Sequence, residues 1–107
     1  MNRLKQMLIV QGERPPIVEF DLEAGAVYIR FSRRKVSKTL ERSSDGMIVT
    51  VDLDRDGGVV GIEGICFDEF SIGGLLKAAN VRADGIDFSK ARFRAPSRQS
   101  DRALVEN

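Results

Sequence analysis

The stretch that most constrains the fold is residues 47–65, which predicts two strands joined by a tight acidic turn. Every second residue from Met47 to Leu53 is apolar, and strand side chains alternate between the two faces of a sheet. These apolar side chains therefore share one face, while the residues between them, from Ile48 to Asp52, lie on the other. We expect this stretch to form the central hairpin of a sheet.

The turn of this hairpin is predicted at Asp56-Gly57, because an Asp-Gly dipeptide tolerates the left-handed backbone of tight hairpin turns. Its second strand is predicted from Val59 to about Ile65. Gly61 and Gly64 fall within that strand, where a glycine indicates a bulge or the close approach of another element.

Three more strands are predicted before this hairpin. Residues 17–21 and 26–31 alternate around a short turn and have the sequence form of a β-hairpin, with Tyr28 and Arg30 on one face of its second strand. Residues 36–42 have moderate β character, and we place them at a sheet edge because lysines there discourage pairing with another sheet.

One short helix is predicted after the central hairpin. Ser71 is a suitable N-cap, and the apolar residues of the segment 72–79 recur at helical spacing on one face. Asn80 can end the helix in a left-handed conformation. The predicted fold class is therefore α+β, a small antiparallel β-meander sheet of about 4–6 strands with one short amphipathic helix packed on one face.

We expect residues 17–95 to form a single domain, preceded by an N-terminal arm at 1–16 and followed by a polar, disordered tail at 96–107. Two segments stay ambiguous. Residues 4–10 have the pattern of either a short strand or a floppy arm, and residues 86–94 that of either a closing strand or a short 3₁₀ segment.

The composition argues against an enzyme. The net charge is +1, there is no histidine, and Cys66 is the single cysteine, so neither a His-based catalytic site nor a thiolate zinc site can be assembled. A structural thiol is favoured over a nucleophile at Cys66, and only a deep polar pocket holding Asp21, Tyr28 and Arg30 together would favour an enzyme. We predict no cofactor. No segment resembles a signal peptide or a membrane span, which predicts a cytoplasmic protein.

Two segments resemble a known family. Asp21 to Arg30 is similar to the opening signature of the bacterial family catalogued as domain of unknown function 2283, and Val51 to Glu63 is similar to its second signature. Residues 70–94 resemble the C-terminal extension of many members. Gly25 stands where the family usually has Asp, and Gly64 stands where an apolar residue is usual. The resemblance implies a bacterial protein and brings no activity or site residue with it.

Five residues of the central hairpin have the spacing of the EF-hand calcium loop, in which four carboxylates bind the ion and a glycine makes the turn. They are Asp52, Asp54, Asp56, Gly57 and Glu63. An EF-hand loop lies between two helices, whereas the residues flanking this loop are typical of strands. A strand also carries Glu63 away from the turn, so we favour a hairpin with solubilising charges over a metal site.

The two central strands are predicted to be apolar on both faces, which is more surface than one short helix can bury. Sheet edges also need cover, and association of identical copies is the simplest cover. We therefore predict a non-enzymatic protein-interaction or self-association module, working as a homo-oligomer or with a small protein partner. The interface candidates are Ile48, Thr50, Val60 and Ile62.

Charge is segregated along the chain. Residues 30–42 carry six basic residues and one acid, residues 45–69 seven acids and one basic residue, and residues 82–102 six basic residues and three acids. Pairing between these blocks is the preferred interpretation. The alternative is phosphate contact by a nucleic-acid-binding or antitoxin-like regulatory protein, with Arg92 and Arg94 as the contact candidates.

Overall fold

The computed structural model describes residues 7–11, 14–21, 23–42, 47–65 and 71–95. They form eight strands, one α-helix and one 3₁₀ turn. The elements in chain order are β1 (Leu8–Gln11), β2 (Ile17–Asp21), β3 (Ala26–Arg30), β4 (Lys38–Glu41), β5 (Ile48–Leu53), β6 (Val59–Ile65), α1 (Ile72–Ala79), β7 (Val81–Asp84), the 3₁₀ turn (Phe88–Lys90) and β8 (Arg92–Arg94).

Six strands form one sheet in the order β4-β5-β6-β3-β2-β8, and β1 pairs with β7 in a separate two-stranded sheet. Neighbours in the large sheet are antiparallel except β2 and β8, which run parallel, as do β1 and β7. The predicted α+β fold is confirmed: a mostly antiparallel sheet carries one helix against it. Its order departs from a simple meander, because β3 pairs with β6 rather than with β4.

The local signals for strands and turns are confirmed. The hairpin β2-β3 and the hairpin β5-β6 form where the alternation predicts them, and β4 lies at an edge of the sheet. Gly57 has a φ of +87°, the left-handed backbone that the Asp-Gly turn requires. Ser71 caps α1 by accepting a hydrogen bond from the Gly74 N–H, and Asn80 ends it in a left-handed conformation.

Both ambiguous segments contain strands. Within residues 4–10, residues 8–10 belong to β1, which pairs in parallel with β7 and is therefore part of the packed structure. Residues 86–94 contain both predicted alternatives, the 3₁₀ turn and then β8. The tail at 96–107 and residues 1–6 of the arm lie outside the described residues.

The hydrophobic core lies between one face of the six-stranded sheet, called the core face, and a second layer made of α1, β1 and β7. Leu75 and Ala79 are the buried residues of α1, and Val10 and Val81 come from the two-stranded sheet. The core face contributes Val18, Val27, Ile29, Phe31, Val49, Val51, Leu53, Val59 and Ile62. No helix among the described residues is long and apolar enough to cross a membrane.

The register of β6 corrects one expectation. Ile62 lies opposite both Val51 and Ile29, and its side chain is therefore on the core face, with none of it exposed. Val60 is also fully buried, and the register between β5 and β6 shifts at this point, which adds one residue to β6. The prediction that Val60 and Ile62 share an exposed face with Ile48 is wrong, since a bulge and the true register reverse the assumed alternation.

Candidate functional site

The opposite face of the six-stranded sheet, called the outer face, is open among the residues that the structure describes. The described helix and the two-stranded sheet pack on the core face, and no described element packs on the outer face. Cross-strand register arranges its side chains in rows. The middle row is Glu41, Thr50, Glu63, Tyr28, Glu19 and Arg94, and the row beside it is Thr39, Asp52, Gly61, Arg30, Ile17 and Arg92.

Tyr28 is at the centre of this face and takes part in a chain of hydrogen bonds that links β3, β5 and β4. Its hydroxyl donates a hydrogen bond of 2.9 Å to Oδ2 of Asp52, which lies two strands away on β5. Thr39 of β4 donates to the other carboxylate oxygen of Asp52 at 2.6 Å. These bonds hold the central polar side chains in fixed positions, which lowers the entropic cost of using them in recognition.

Gly61 allows this arrangement. The ring of Tyr28 leans across β6, and a Cβ atom at position 61 would overlap the Tyr28 hydroxyl group. The strand glycine predicted to mark a bulge or a close approach thus lies beside a bulge and under an aromatic ring. The guanidinium carbon of Arg30 lies 5.1 Å from the ring centroid of Tyr28, within the range of a cation–π contact.

The pKa values of two central side chains, Tyr28 and Glu63, are raised, which favours their neutral forms. Burial, the hydrogen bond to Asp52 and the charge of Asp52 together raise the pKa of Tyr28 well above its usual value. Tyr28 therefore remains a hydrogen-bond donor throughout the physiological range. Burial and then the negative charge of Asp52 raise the pKa of Glu63. Two carboxylates thus share a half-buried patch, which a cationic group on a partner would stabilise.

Charge divides the outer face into two halves. The half formed by β4, β5 and β6 carries three acids and no basic side chain on this face. The half formed by β3, β2 and β8 carries three arginines, with Glu19 among them and Asp21 at its end. The acids are Glu41, Asp52 and Glu63, and the arginines are Arg30, Arg92 and Arg94.

Glu19 binds two of these arginines. It accepts hydrogen bonds from Nε and Nη2 of Arg94, at 3.0 and 2.6 Å, and lies 3.9 Å from Nη2 of Arg30. Arg92 is exposed, and among the described residues it has no ion-pair partner. Since Glu19 already neutralises part of this basic half, the structure gives phosphate contact by Arg92 and Arg94 little support, and that alternative stays a prediction.

One end of the outer face is apolar. Ile48 lies opposite Ile65, which in turn lies opposite Ala26 on β3. Ile48 is 43% exposed, and the other two are half-buried. Of the four interface candidates, Ile48 and Thr50 lie on this open face, and their role in an interface stays a prediction.

The four carboxylates with calcium-loop spacing do not form one cluster. Asp52 and Glu63 lie on the outer face around Tyr28, whereas Asp54 and Asp56 lie in the turn after β5. Asp54 accepts the backbone N–H groups of Asp56 and Gly58, each at 2.8 Å. Within the described ranges, no three acidic or other metal-binding side chains are grouped in a way that could hold a metal ion.

The three residues considered for catalysis lie on the outer face. Tyr28 and Arg30 are in its two central rows, while Asp21 is at its end, where its carboxylate accepts the N–H groups of Glu23 and Ala24 in the following turn. Cys66 lies outside the described residues. The two clefts described for residues 7–95 are not lined by these three side chains. The expectation that the protein is not an enzyme stays a prediction.

Neither the contact between Tyr28 and Asp52 nor the division of the outer face into charged halves was predicted from the sequence. Both depend on the order of the strands, which places β3 next to β6. The available signal was the period-two pattern, which put Tyr28 with Arg30 on one face and Asp52 with Thr50 on another without joining the two.

The comparisons with known proteins found no family model that matches the chain, and no curated protein or solved structure similar to it. The resemblance to the family of domain of unknown function 2283 therefore stays a prediction.

Proposed function

We propose that the protein is a non-enzymatic self-association module whose outer sheet face packs against the same face of a second copy. The observation that carries this proposal is the division of the open face into an acidic and a basic half. A surface of this kind is complementary to itself, because a two-fold axis can place each half over the opposite half of the other copy.

The strand order defines that axis. An axis parallel to the strands, between β6 and β3, exchanges the two halves and brings β4 of one copy over β8 of the other. Aligned packing of two sheets keeps their strands within about 30° of each other, so the halves still overlap. Glu41 on β4 then lies near the arginines of the partner's β8.

The centre of the face suits an interface core. Tyr28 and Arg30 are residue types enriched at binding hot spots, and both are half-buried and held by intramolecular contacts. They lie beside the proposed axis together with Glu63, so Tyr28 of each copy would meet Glu63 of the other. The apolar row of Ile48, Ile65 and Ala26 adds surface that gains from removal from water.

Charge reversal tests this arrangement. The rows place Glu41 of one copy over Arg94 of the other, so Glu41→Lys and Arg94→Glu each place like charges over one another in the dimer. Each change is expected to lower the association constant for dimerisation by about tenfold or more. Combining the two changes restores opposite charges across the interface, and the double variant is expected to associate within about threefold of the unchanged protein. Sedimentation velocity over a concentration series measures the dimerisation constants of the unchanged protein and of the three variants.

The matched control is Lys77→Glu, which changes the charge by the same amount on α1, behind the sheet. It is expected to leave dimerisation unchanged. A double variant as weak as the two single effects combined would refute the proposed axis. Single variants that associate like the unchanged protein would refute the outer face as the interface.

Location and family are part of the same proposal. A cytoplasmic bacterial protein of this kind agrees with the similarity of Asp21–Arg30 and Val51–Glu63 to the family signatures named above. Because that family brings no activity with it, the function proposed here depends on the outer face alone.

A further inference from the structure

A separate cleft lies at the end of the sheet, away from the outer face. It is formed by the connection after β3, the turn between β5 and β6, and the segment around β1. Its volume is about 610 Å³, within the range of small-molecule sites. The lining residues are Ile9, Arg14, Phe31, Ser32, Arg33, Arg34, Asp54, Asp56, Gly58 and Val59.

The two main walls of the cleft are tied together. The backbone N–H groups of Phe31 and Ser32 both donate to the Val60 carbonyl, at 2.8 and 3.2 Å. Nη1 of Arg34 lies 3.4 Å from a carboxylate oxygen of Asp54 and 3.4 Å from one of Asp56. The cleft is therefore held open by contacts within the protein and does not need a ligand to form.

The backbone of Gly58 lies close to the carboxylate of Asp54, in the turn that forms one wall of the cleft. A Cβ atom there would lie 2.9 Å from Oδ2 of Asp54, whose side chain is only 8% exposed. The N–H of Gly58, then that of Asp56, and the Arg34 guanidinium hold the pKa of the Asp54 carboxyl below its usual range. The negative charge of Asp54 is thus stabilised by groups of the protein itself, namely two backbone N–H groups of the turn and the Arg34 guanidinium.

The remaining charge of the cleft is positive. Arg14 and Arg33 are exposed, and neither has an ion-pair partner among the residues that the structure describes. Asp56 is at the rim, with 74% of its side chain exposed and the Arg34 guanidinium beside it. Two guanidinium groups are therefore available to a ligand.

Three lining residues of the cleft are apolar, and together they are called its apolar floor: Phe31, Val59 and Ile9. Phe31 and Val59 belong to the core cluster and are only 6% and 7% exposed, so most of the exposed apolar surface comes from Ile9, which is 51% exposed. Guanidinium groups bind carboxylates and phosphates through paired, charge-assisted hydrogen bonds. An apolar floor beside them favours a ligand with an apolar body next to its anionic group.

We propose that this cleft binds a small organic anion, whose carboxylate or phosphate group is held by Arg14 and Arg33 and whose apolar body lies over Phe31, Val59 and Ile9. The site shares no residue with the outer face. Its test is therefore independent of whether the protein self-associates.

The experiment is a titration of the full-length ¹⁵N-labelled protein, followed by amide chemical shifts. The probes are phenyl phosphate, phenylacetate and inorganic phosphate, each up to about 10 mM, which covers weak single-site binding. At least one aromatic anion is expected to give saturable shifts confined to residues 31–34 and 54–59. Inorganic phosphate is expected to bind at least about tenfold more weakly, because it has no apolar body.

Variants assign the binding to the two arginines. Arg14→Ala and Arg33→Ala are each expected to weaken binding of the aromatic anion by about tenfold, the effect of losing one charge-assisted hydrogen bond. Arg55→Ala is the matched control, since Arg55 is an exposed arginine in the turn between β5 and β6 and does not line this cleft. It is expected to bind like the unchanged protein.

Three results would overturn the proposal. The first is the absence of saturable shifts with both aromatic anions. The second is binding that Arg14→Ala and Arg33→Ala leave unchanged, or that Arg55→Ala weakens equally. The third is inorganic phosphate binding as tightly as the aromatic anions, which would mean that the apolar floor takes no part. Comparison of phenyl phosphate with phenylacetate shows which anionic group the arginines prefer.

Discussion

Replacing Ile62 with Ala is expected to lower the free energy of unfolding by about 2–5 kcal/mol, the range measured for large-to-small changes in protein cores. Ile62 is fully buried and lies between Val51 of β5 and Ile29 of β3, so its truncation leaves a cavity lined by both neighbouring strands. Close packing of the interior limits how far these neighbours can collapse into the space. Urea unfolding, followed by far-ultraviolet circular dichroism, measures the loss.

Ile48→Ala is the matched control for this prediction. It removes the same atoms from a residue that is 43% exposed on the outer face, and we expect a loss below about 1 kcal/mol. Both variants should be measured at concentrations where the protein is monomeric. In a dimer, the loss of interface contacts at Ile48 would also lower the apparent free energy of unfolding. Equal losses at the two positions would contradict the observed register of β6.

Replacing Arg42 with Met is expected to cost about 1.5–3 kcal/mol, the contribution of a hydrogen bond from a charged group. Arg42 is 6% exposed, and its Nη1 donates to the carbonyl oxygen of Ala79 at the end of α1, at 3.1 Å. The last carbonyls of a helix have no partner within the helix, and a positive charge there is favourable. Methionine keeps the apolar stem of Arg42 and removes the guanidinium, so the loss reports the polar contact rather than a cavity.

Arg55→Met provides the comparison for Arg42. Arg55 is exposed in the turn between β5 and β6, and its replacement is expected to change the free energy of unfolding by less than about 0.5 kcal/mol. Thermal and urea unfolding of both variants distinguish the two positions. A loss at Arg42 no larger than at Arg55 would mean that the bond to Ala79 does not stabilise the attachment of α1 to the sheet.

The sequence predicted the two hairpins, the edge strand and the helix because their signals are local, whereas β7 was not predicted. Alternation identified the two hairpins, the Asp56-Gly57 dipeptide marked the turn, and Ser71 and Asn80 marked the ends of the helix. Each of these features is decided by residues that are close in the chain. They were therefore readable without knowledge of the tertiary structure.

The register of β6 was not predictable in the same way. Alternation assigns residues to two faces but does not say which face is buried, and the shift at Val60 reverses the assignment along part of the strand. Gly61 carried a usable signal, because a strand glycine indicates a bulge or a close approach. The glycine indicated where the bulge lies, but it did not indicate that the bulge places Ile62 on the buried face.

The outer face depends on contacts between distant parts of the chain. Tyr28 and Asp52 are 24 residues apart and meet only because β6 lies between β3 and β5. The same strand order separates the acidic half from the basic half. Segregation of charge along the sequence predicted that the blocks would pair, and the contacts of Arg34 with Asp54 and Asp56 are of that kind. The division of the outer face into an acidic and a basic half could be recognised only once the order of the strands was known.

An isotope-filtered nuclear Overhauser experiment tests the proposed interface most directly. The sample mixes ¹³C-labelled and unlabelled copies at a concentration where sedimentation shows a dimer, so only contacts between copies give signals. Tyr28 is the single tyrosine, and its ring resonances are therefore unambiguous. We predict signals between the Tyr28 ring of one copy and Glu63 of the other. Signals from α1 instead of Tyr28, or no signals between copies at all, would contradict it.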